Sequence, residues 1–308
     1  MSTRYYFHPV CIEHEPSPGH PESPDRLRTI SQVLDADEFA ALDRCTPPEA
    51  SRAQIARAHP ESYVDRVFDL IPETGYARID ADTIVSPKSG EAALRATGAL
   101  VDAVDSVMTG AANNAFCAIR PPGHHAEPER GMGFCLFNSV VVGAEHARAV
   151  HGAERVAVMD FDVHHGNGTQ AMFWDDPDMF YASTHQWPLY PGTGDKSETG
   201  SHGNIVNAPL WVGAGSDDFR AAMREVVLPA MEAFGPDLVM ISAGFDAHRR
   251  DPLAQLALET EDFTWATDAI RKIAEKKCDG RLISTLEGGY DLQALGESAA
   301  AHVRVLMG

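Results

Sequence analysis

Short apolar runs recur along the chain without strict alternation: "FCAIR" (116–120), "RVAVMDFD" (155–162), "MFYASTH" (179–185), "DLVMISAG" (237–244) and "RLISTLEGG" (281–289). Rich in Val, Ile, Leu and Phe, they read as strands covered on both faces. Between them lie longer segments with apolar residues at helical spacing: "SGEAALRATGALVDAVDSVM" (89–108), "FRAAMREVVLPAMEAF" (219–234) and "TEDFTWATDAIRKIAEKK" (260–277), the last with Thr260 as the expected N-cap. This alternation predicts an α/β fold, an open and mostly parallel sheet with helices on both faces. No repeat, low-complexity tract or Gly/Ser linker marks a boundary, so residues 1–308 read as a single domain.

Four of the predicted strands run directly into polar clusters. "FCAIR" leads into "PPGHHA", "RVAVMDFD" into "VHHGNG", "DLVMISAG" into "FDAHRRD", and "RLISTLEGG" into "YDL". Sites in open α/β sheets form beyond the carboxyl ends of the strands. The sequence therefore places His124 and His125, behind the rigid Pro121-Pro122-Gly123 turn, in a cleft shared with the other three clusters.

Composition narrows the chemistry. The chain has 25 basic and 45 acidic residues and a formal net charge of -20. Phosphate binding needs a basic surface, so nucleic acid is not an expected partner; a cationic substrate would be attracted. The five cysteines (Cys11, Cys45, Cys117, Cys135, Cys278) are scattered with no CxxC pair, which argues against a disulfide framework or a thiolate zinc site. No signal-like segment opens the chain, and no apolar run approaches the ~18 residues of a membrane span. The expectation is a soluble, cytoplasmic protein without a membrane partner.

"DFDVHHGNG" places Asp160, Asp162 and His164 at alternate positions, so that Asp162 and His164 can reach one ion from an extended segment. Asp246, at the end of another strand, is the candidate third ligand. Two carboxylates and an imidazole with an open fourth position form a catalytic zinc pattern. Zinc acidifies water, which then needs a base and a stabiliser for an oxyanion. His124 and His125 are candidate proton-transfer groups, with Asp160 and Asn167 as candidate orienting partners. A carboxylate favours an imidazolium more than an amide does, so the two rings can hold different protonation states. Tyr290, after "EGG", is the candidate oxyanion donor.

"RPPGHHA", "GFCLFN", "DFDVHHGNGTQ", "SAGFD" and "EGGYDL", with "HPESPDRL" near the N-terminus, resemble the motif series of the zinc-dependent histone deacetylase and acetylpolyamine amidohydrolase family. The motifs run in family order from about residue 20 to 295, and "DVHHGNGTQ" and "EGGY" are most similar to the class II-like branch. The resemblance implies the arginase–deacetylase fold, with a parallel sheet of about eight strands. It implies a catalytic domain holding one zinc on Asp162, His164 and Asp246. His125 becomes the main general base and acid, His124 with Asp160 an electrostatic partner, and Tyr290 the oxyanion donor. Gly133 and Phe134 match a substrate-contacting carbonyl and one wall of the acyl channel. Tyr190 matches the opposite wall, where the family usually has Phe. Arg26 matches an arginine behind the site on an acetate path. A potassium ion near the zinc would be held by Asp160, Asp162, His164, Ser183 and Thr184, mostly through backbone oxygens.

The reaction implied is hydrolysis of an N-acetylated amine to amine and acetate. Leu253 falls at a rim position where polyamine-specific eukaryotic members carry an acid, and Asp82 is a candidate rim carboxylate. An apolar Leu253 leans toward acyl-lysine-like or broad substrates, and the net charge of -20 leans weakly toward acetylpolyamines. Two rival readings remain: a two-metal ureohydrolase of the same fold, and a non-catalytic binder of acylated cations.

Overall fold

The computed structural model describes residues 2–308. Among the described residues ten strands occur in chain order: β1 (Thr3–Tyr6), β2 (Asp43–Cys45), β3 (Ala77–Arg78), β4 (Ile84–Val85), β5 (Asn114–Cys117), β6 (Val156–Asp160), β7 (Met179–Gln186), β8 (Ile205–Leu210), β9 (Leu238–Ala243) and β10 (Leu282–Leu286). Eight of them form one sheet in the order β2-β1-β5-β10-β9-β6-β7-β8, with every neighbouring pair parallel. β3 and β4 form a separate antiparallel pair.

Both faces of the sheet are covered, as the unalternating apolar runs require. Along β9, Val239, Ile241 and Ala243 enter one core cluster, while Leu238 and Met240 enter the other. The first cluster packs Phe161, Phe245, Phe263, Ile270, Leu295 and Val303. The second packs Leu100 and Val104 of the helix Ser89–Met108 against Val140, Val158 and Ile283. A smaller cluster beside the sheet joins Tyr63, Val64 and Val67 to Leu136 and Phe137. The cysteines are all unpaired. Among the described residues no helix is long and apolar enough to cross a membrane.

The helix Ser89–Met108 coincides with its predicted range. Three local readings are corrected. β5 covers Asn114–Cys117 rather than 116–120. Pro121 and Pro122 have no N–H to continue a ladder, and the chain leaves the sheet before them. The helical segment predicted over 219–234 is interrupted by a π turn at Met223–Val227. There the Leu228 N–H reaches back five positions to the Met223 carbonyl, one residue before Pro229, which has no N–H to donate. Thr260 is not a cap but the first residue of its helix, Thr260–Cys278; Glu259 occupies the cap position, its backbone N–H donating to Asp262 Oδ2 at 3.0 Å.

Candidate active site

The carboxyl ends of β5, β6, β9 and β10 deliver the four polar clusters to one edge of the sheet. β6 ends at Asp160, which lies opposite Ser183 on β7 and Ser242 on β9. Because β6 stops there, Asp162 and His164 do not converge by strand alternation, as the sequence suggested. They converge through successive side-chain turns. Asp160 Oδ1 accepts from Asp162 N at 3.1 Å, and Asp162 Oδ1 accepts from His164 N at 2.8 Å. From the loop after β9, Asp246 Oδ1 accepts from Val163 N at 2.8 Å, tying the third candidate ligand to the same turn.

Two groups of side chains among the described residues offer donor atoms within 4.8 Å of one another: Asp162–His164–Asp246 and Asp105–His146–His151. In the first, His164 Nδ1 lies 3.2 Å from Asp162 Oδ1 and 3.1 Å from Asp246 Oδ2. Ligands at about 2.0–2.1 Å around a tetrahedral ion stand roughly 3.4 Å apart, so this spacing fits one cation with little adjustment. Both carboxylates are fully buried, and an imidazole beside two buried carboxylates suits a divalent metal of zinc type. The second group is closed by hydrogen bonds of 2.7 and 2.6 Å to Asp105 Oδ1. Arg57 donates to His146 Nδ1, which commits the other nitrogen to carrying a proton toward Asp105. That group is a satisfied polar network, not a ligand set.

His124 and His125 lie side by side but face different partners. His124 Nδ1 is 2.9 Å from Asp160 Oδ2, which also accepts from the Tyr181 hydroxyl at 3.1 Å. Burial disfavours charge on His124, yet Asp160 and Asp162 outweigh it and lift the ring to about 10. His125 Nδ1 is 2.8 Å from Asn167 Oδ1. The Asn167 amide is oriented by its Nδ2 donating to Glu127 Oε1 at 2.8 Å, so its oxygen faces His125 and Nδ1 must carry the proton. Burial, followed by the nearby His124 and His164 rings, holds His125 well below its ordinary value. The result is a neutral ring whose Nε2 lone pair is free.

A cavity of about 260 Å³ is lined by His125, His164, Gly133, Phe134, Leu189, Tyr190, Leu253, Asp82 and Tyr290. Every residue assigned to the substrate channel from sequence thus lines one cavity. Tyr190 stands edge-on to His125, with ring centroids 5.2 Å apart. Phe134 stands edge-on to Tyr290 at 6.0 Å. Gly133 adopts φ +56°, and an added Cβ there would collide with the His125 ring. Burial pushes the Tyr290 phenol well above its ordinary value, so it remains a donor. A larger cleft of about 680 Å³ beside β8 has only Asp195 and Lys196 as charged lining residues, so size does not locate the chemistry.

Arg26 lies behind Tyr290, 5.0 Å from the ring centroid. It is fully buried and bonds Glu22 Oε1 at 2.9 Å, Gly289 O at 2.7 Å and the Glu287 carbonyl. Glu22 also pairs with buried Arg120. Ser183 bonds His185 Nδ1 at 2.9 Å, while the buried Thr184 hydroxyl has no hydrogen-bond partner.

Glu287 is a functional residue that no site expectation included. Its carboxylate is buried and accepts from Gly123 N at 2.7 Å and His124 N at 3.2 Å, fixing the histidine turn from behind. Burial raises it to about 7. Its place before the glycines of "EGGY" was the only available signal.

A parallel α/β sheet that gathers a closely spaced Asp–His–Asp trio, an oriented histidine pair and a phenol around one cavity has the layout of an amide-hydrolysing enzyme. The chain belongs to the histone deacetylase family: the family model described as histone deacetylase domain matches residues 20–306. A histone deacetylase-like amidohydrolase of Pseudomonas aeruginosa is 38% identical over 310 residues, spanning 94% of this chain and 81% of that protein. A probable deacetylase of Archaeoglobus fulgidus is 38% identical over 299 residues, spanning 95% and 82%. The crystal structure of the HDA15 HD domain matches with a TM-score of 0.94 at 36% identity, over 99% of this chain and 88% of that one. The fold is thus the arginase–deacetylase fold, and the chain is a hydrolase acting on amides.

Proposed function

We propose that residues 1–308 form a single catalytic domain that hydrolyses N-acetylated amines, acetyl-lysine foremost, to amine and acetate. The observation that carries this reading is the placement of His125, His164 and Tyr290 on one cavity, with Asp162 and Asp246 beside His164. Asp162, His164 and Asp246 would hold one zinc ion, which when bound supplies Lewis acidity to a carbonyl and a water. His125, its Nδ1–H fixed on Asn167 Oδ1, takes a proton from the attacking water at Nε2 and returns it to the departing amine. His124, kept cationic by Asp160, offsets negative charge developing beside it. The Tyr290 hydroxyl donates to the carbonyl oxygen as that oxygen becomes an oxyanion.

Phe134 and Tyr190 wall the acyl-amine stem, and the Gly133 carbonyl accepts a substrate N–H. Asp82 and Leu253 lie where the remainder of the substrate leaves the cavity. Leu253 itself supplies no counter-charge to a distal ammonium and favours an acetyl-lysine side chain, with Asp82 as the lining carboxylate that accepts substrate N–H groups. Arg26, behind Tyr290, is the positive charge toward which acetate would leave. Ser183 and Thr184, with Asp160, Asp162 and His164, would hold a potassium ion, mostly through backbone oxygens. The substrate test is acetate release from an acetyl-lysine peptide and from acetylated polyamines, side by side with zinc-loaded protein. Faster turnover of the peptide is expected; turnover of acetylpolyamines alone would replace the lysine assignment.

A further inference from the structure

Asp251 is a buried carboxylate that makes no side-chain bond to any catalytic group, yet it joins two walls of the cavity. Its Oδ1 accepts from the backbone N–H of Leu253 at 2.9 Å. Its Oδ2 accepts from the backbone N–H of Tyr290 at 2.7 Å and, more weakly, of Asp291 at 3.4 Å. It is only 6% exposed. Leu253 and Tyr290 both line the cavity, and Asp251 lies five positions after Asp246 on the same loop.

The chain leading to Tyr290 is held residue by residue: Gly288 N donates to Asp162 Oδ2 at 2.7 Å and Gly289 O accepts from Arg26 Nε at 2.7 Å, and Asp251 holds the next amide, that of Tyr290 itself. Among the described residues the Tyr290 hydroxyl has no protein hydrogen-bond partner that would aim it; its ring stands edge-on to Phe134 and under the Arg26 guanidinium. The phenol is a lever whose pivot is the Tyr290 backbone. A small rotation at that pivot moves the hydroxyl by a larger amount, and displacement of a reacting group by ~1 Å can cost about 10²-fold in rate.

We propose that Asp251 is a positioning residue: by clamping the Tyr290 and Leu253 amides to one carboxylate, it sets the reach of the Tyr290 hydroxyl into the cavity. This rests on Tyr290 acting as the oxyanion donor. Asp251→Asn keeps the side-chain volume but leaves one acceptor where two are needed. The expected loss in kcat is on the order of 10²-fold, with KM and zinc content close to wild type. The decisive comparison is the double-mutant cycle with Tyr290→Phe. If Asp251 acts through the hydroxyl, adding Asp251→Asn to Tyr290→Phe costs nothing further. A full, additive loss in that background would overturn the proposal, as would a single-mutant loss that merely tracks missing zinc. If Tyr290→Phe alone keeps most of its kcat, the oxyanion reading fails and the clamp falls with it; that outcome is visible in the single mutant. Amide exchange in the wild-type protein gives an activity-independent check. The Tyr290 and Leu253 amides should exchange slowly, and exchange at the rate of an open loop would remove the clamp. Should Asp251→Asn fail to fold, Asp251→Glu, which retains both oxygens on a longer stem, carries the same cycle.

Discussion

His124 and His125 lie with ring centroids 4.0 Å apart, yet one nitrogen of each points to a partner of different charge: Asp160 for His124, Asn167 for His125. The neutral amide leaves His125 free of the charge that its neighbour carries. Asn167→Asp gives His125 a carboxylate partner and raises its proton affinity. A base is lost when it is protonated, so the acid limb of kcat/KM should move to higher pH, with a loss of about 10-fold or more at neutral pH. An unmoved pH profile would show that His125 is not the group titrating in the reaction.

Asp246→Asn should fold and lose metal. The amide oxygen can still accept from Val163 N, so the turn carrying Asp162 and His164 is preserved, whereas Asp246→Ala leaves that N–H unpaired at a cost of about 1–3 kcal/mol. Metal analysis on both variants, beside their melting temperatures, checks this. Wild-type zinc content in Asp246→Asn would remove Asp246 from the ligand set.

Tyr290→Phe should reduce kcat by about 10²–10³-fold and change KM little. Its melting temperature should stay near wild type, because the hydroxyl bonds no protein group among the described residues and the ring contacts are retained. A variant that is destabilised but fully active would make Tyr290 a packing residue.

Glu22 is predicted to be an acid-labile stabiliser. Burial alone would raise its carboxyl, but Arg120 and Arg26 outweigh burial and bring it down to about 2. A carboxyl depressed on folding stabilises above its unfolded value of about 4.5, and that contribution is lost as pH falls from there toward 2. The contribution is on the order of 3 kcal/mol. Glu22→Gln should therefore lower the melting temperature at pH 7, and the gap from wild type should narrow below pH 4. A gap independent of pH would mean that the charge of Glu22 is not what stabilises the Arg26–Arg120 cluster.

The sequence was most legible where chemistry and topology coincide. Apolar runs ending in His, Asp and Tyr clusters placed His124, His125, Asp162, His164, Asp246 and Tyr290 at one sheet edge, and there they lie. Phe134, Tyr190, Leu253 and Asp82 likewise share one cavity. What could not be read are contacts in which a side chain recognises backbone. Glu287 holds the amides of Gly123 and His124, and Asp251 holds those of Leu253 and Tyr290. An amide has no residue identity, so nothing in the sequence names the partner; the Asp251–Leu253 turn is local, but the separations of 164 and 39 positions put the Gly123 and Tyr290 amides beyond any local pattern. The π turn at Met223–Val227 and the shift of the cap from Thr260 to Glu259 were lost for a different reason. Each is marked by a single bond, Leu228 N to the Met223 carbonyl and Glu259 N to the Asp262 carboxylate, while the periodicity around it stays helical.

The central claim is that one metal ion on Asp162, His164 and Asp246 serves an amide-hydrolysing site. Its most direct test is a zinc titration of chelator-stripped protein, with acetate released from an acetyl-lysine peptide as the readout. The account predicts no release without metal and a plateau at one equivalent of zinc per chain. A plateau only at two equivalents, or no acetate from acetylated amines at any zinc level, would contradict it.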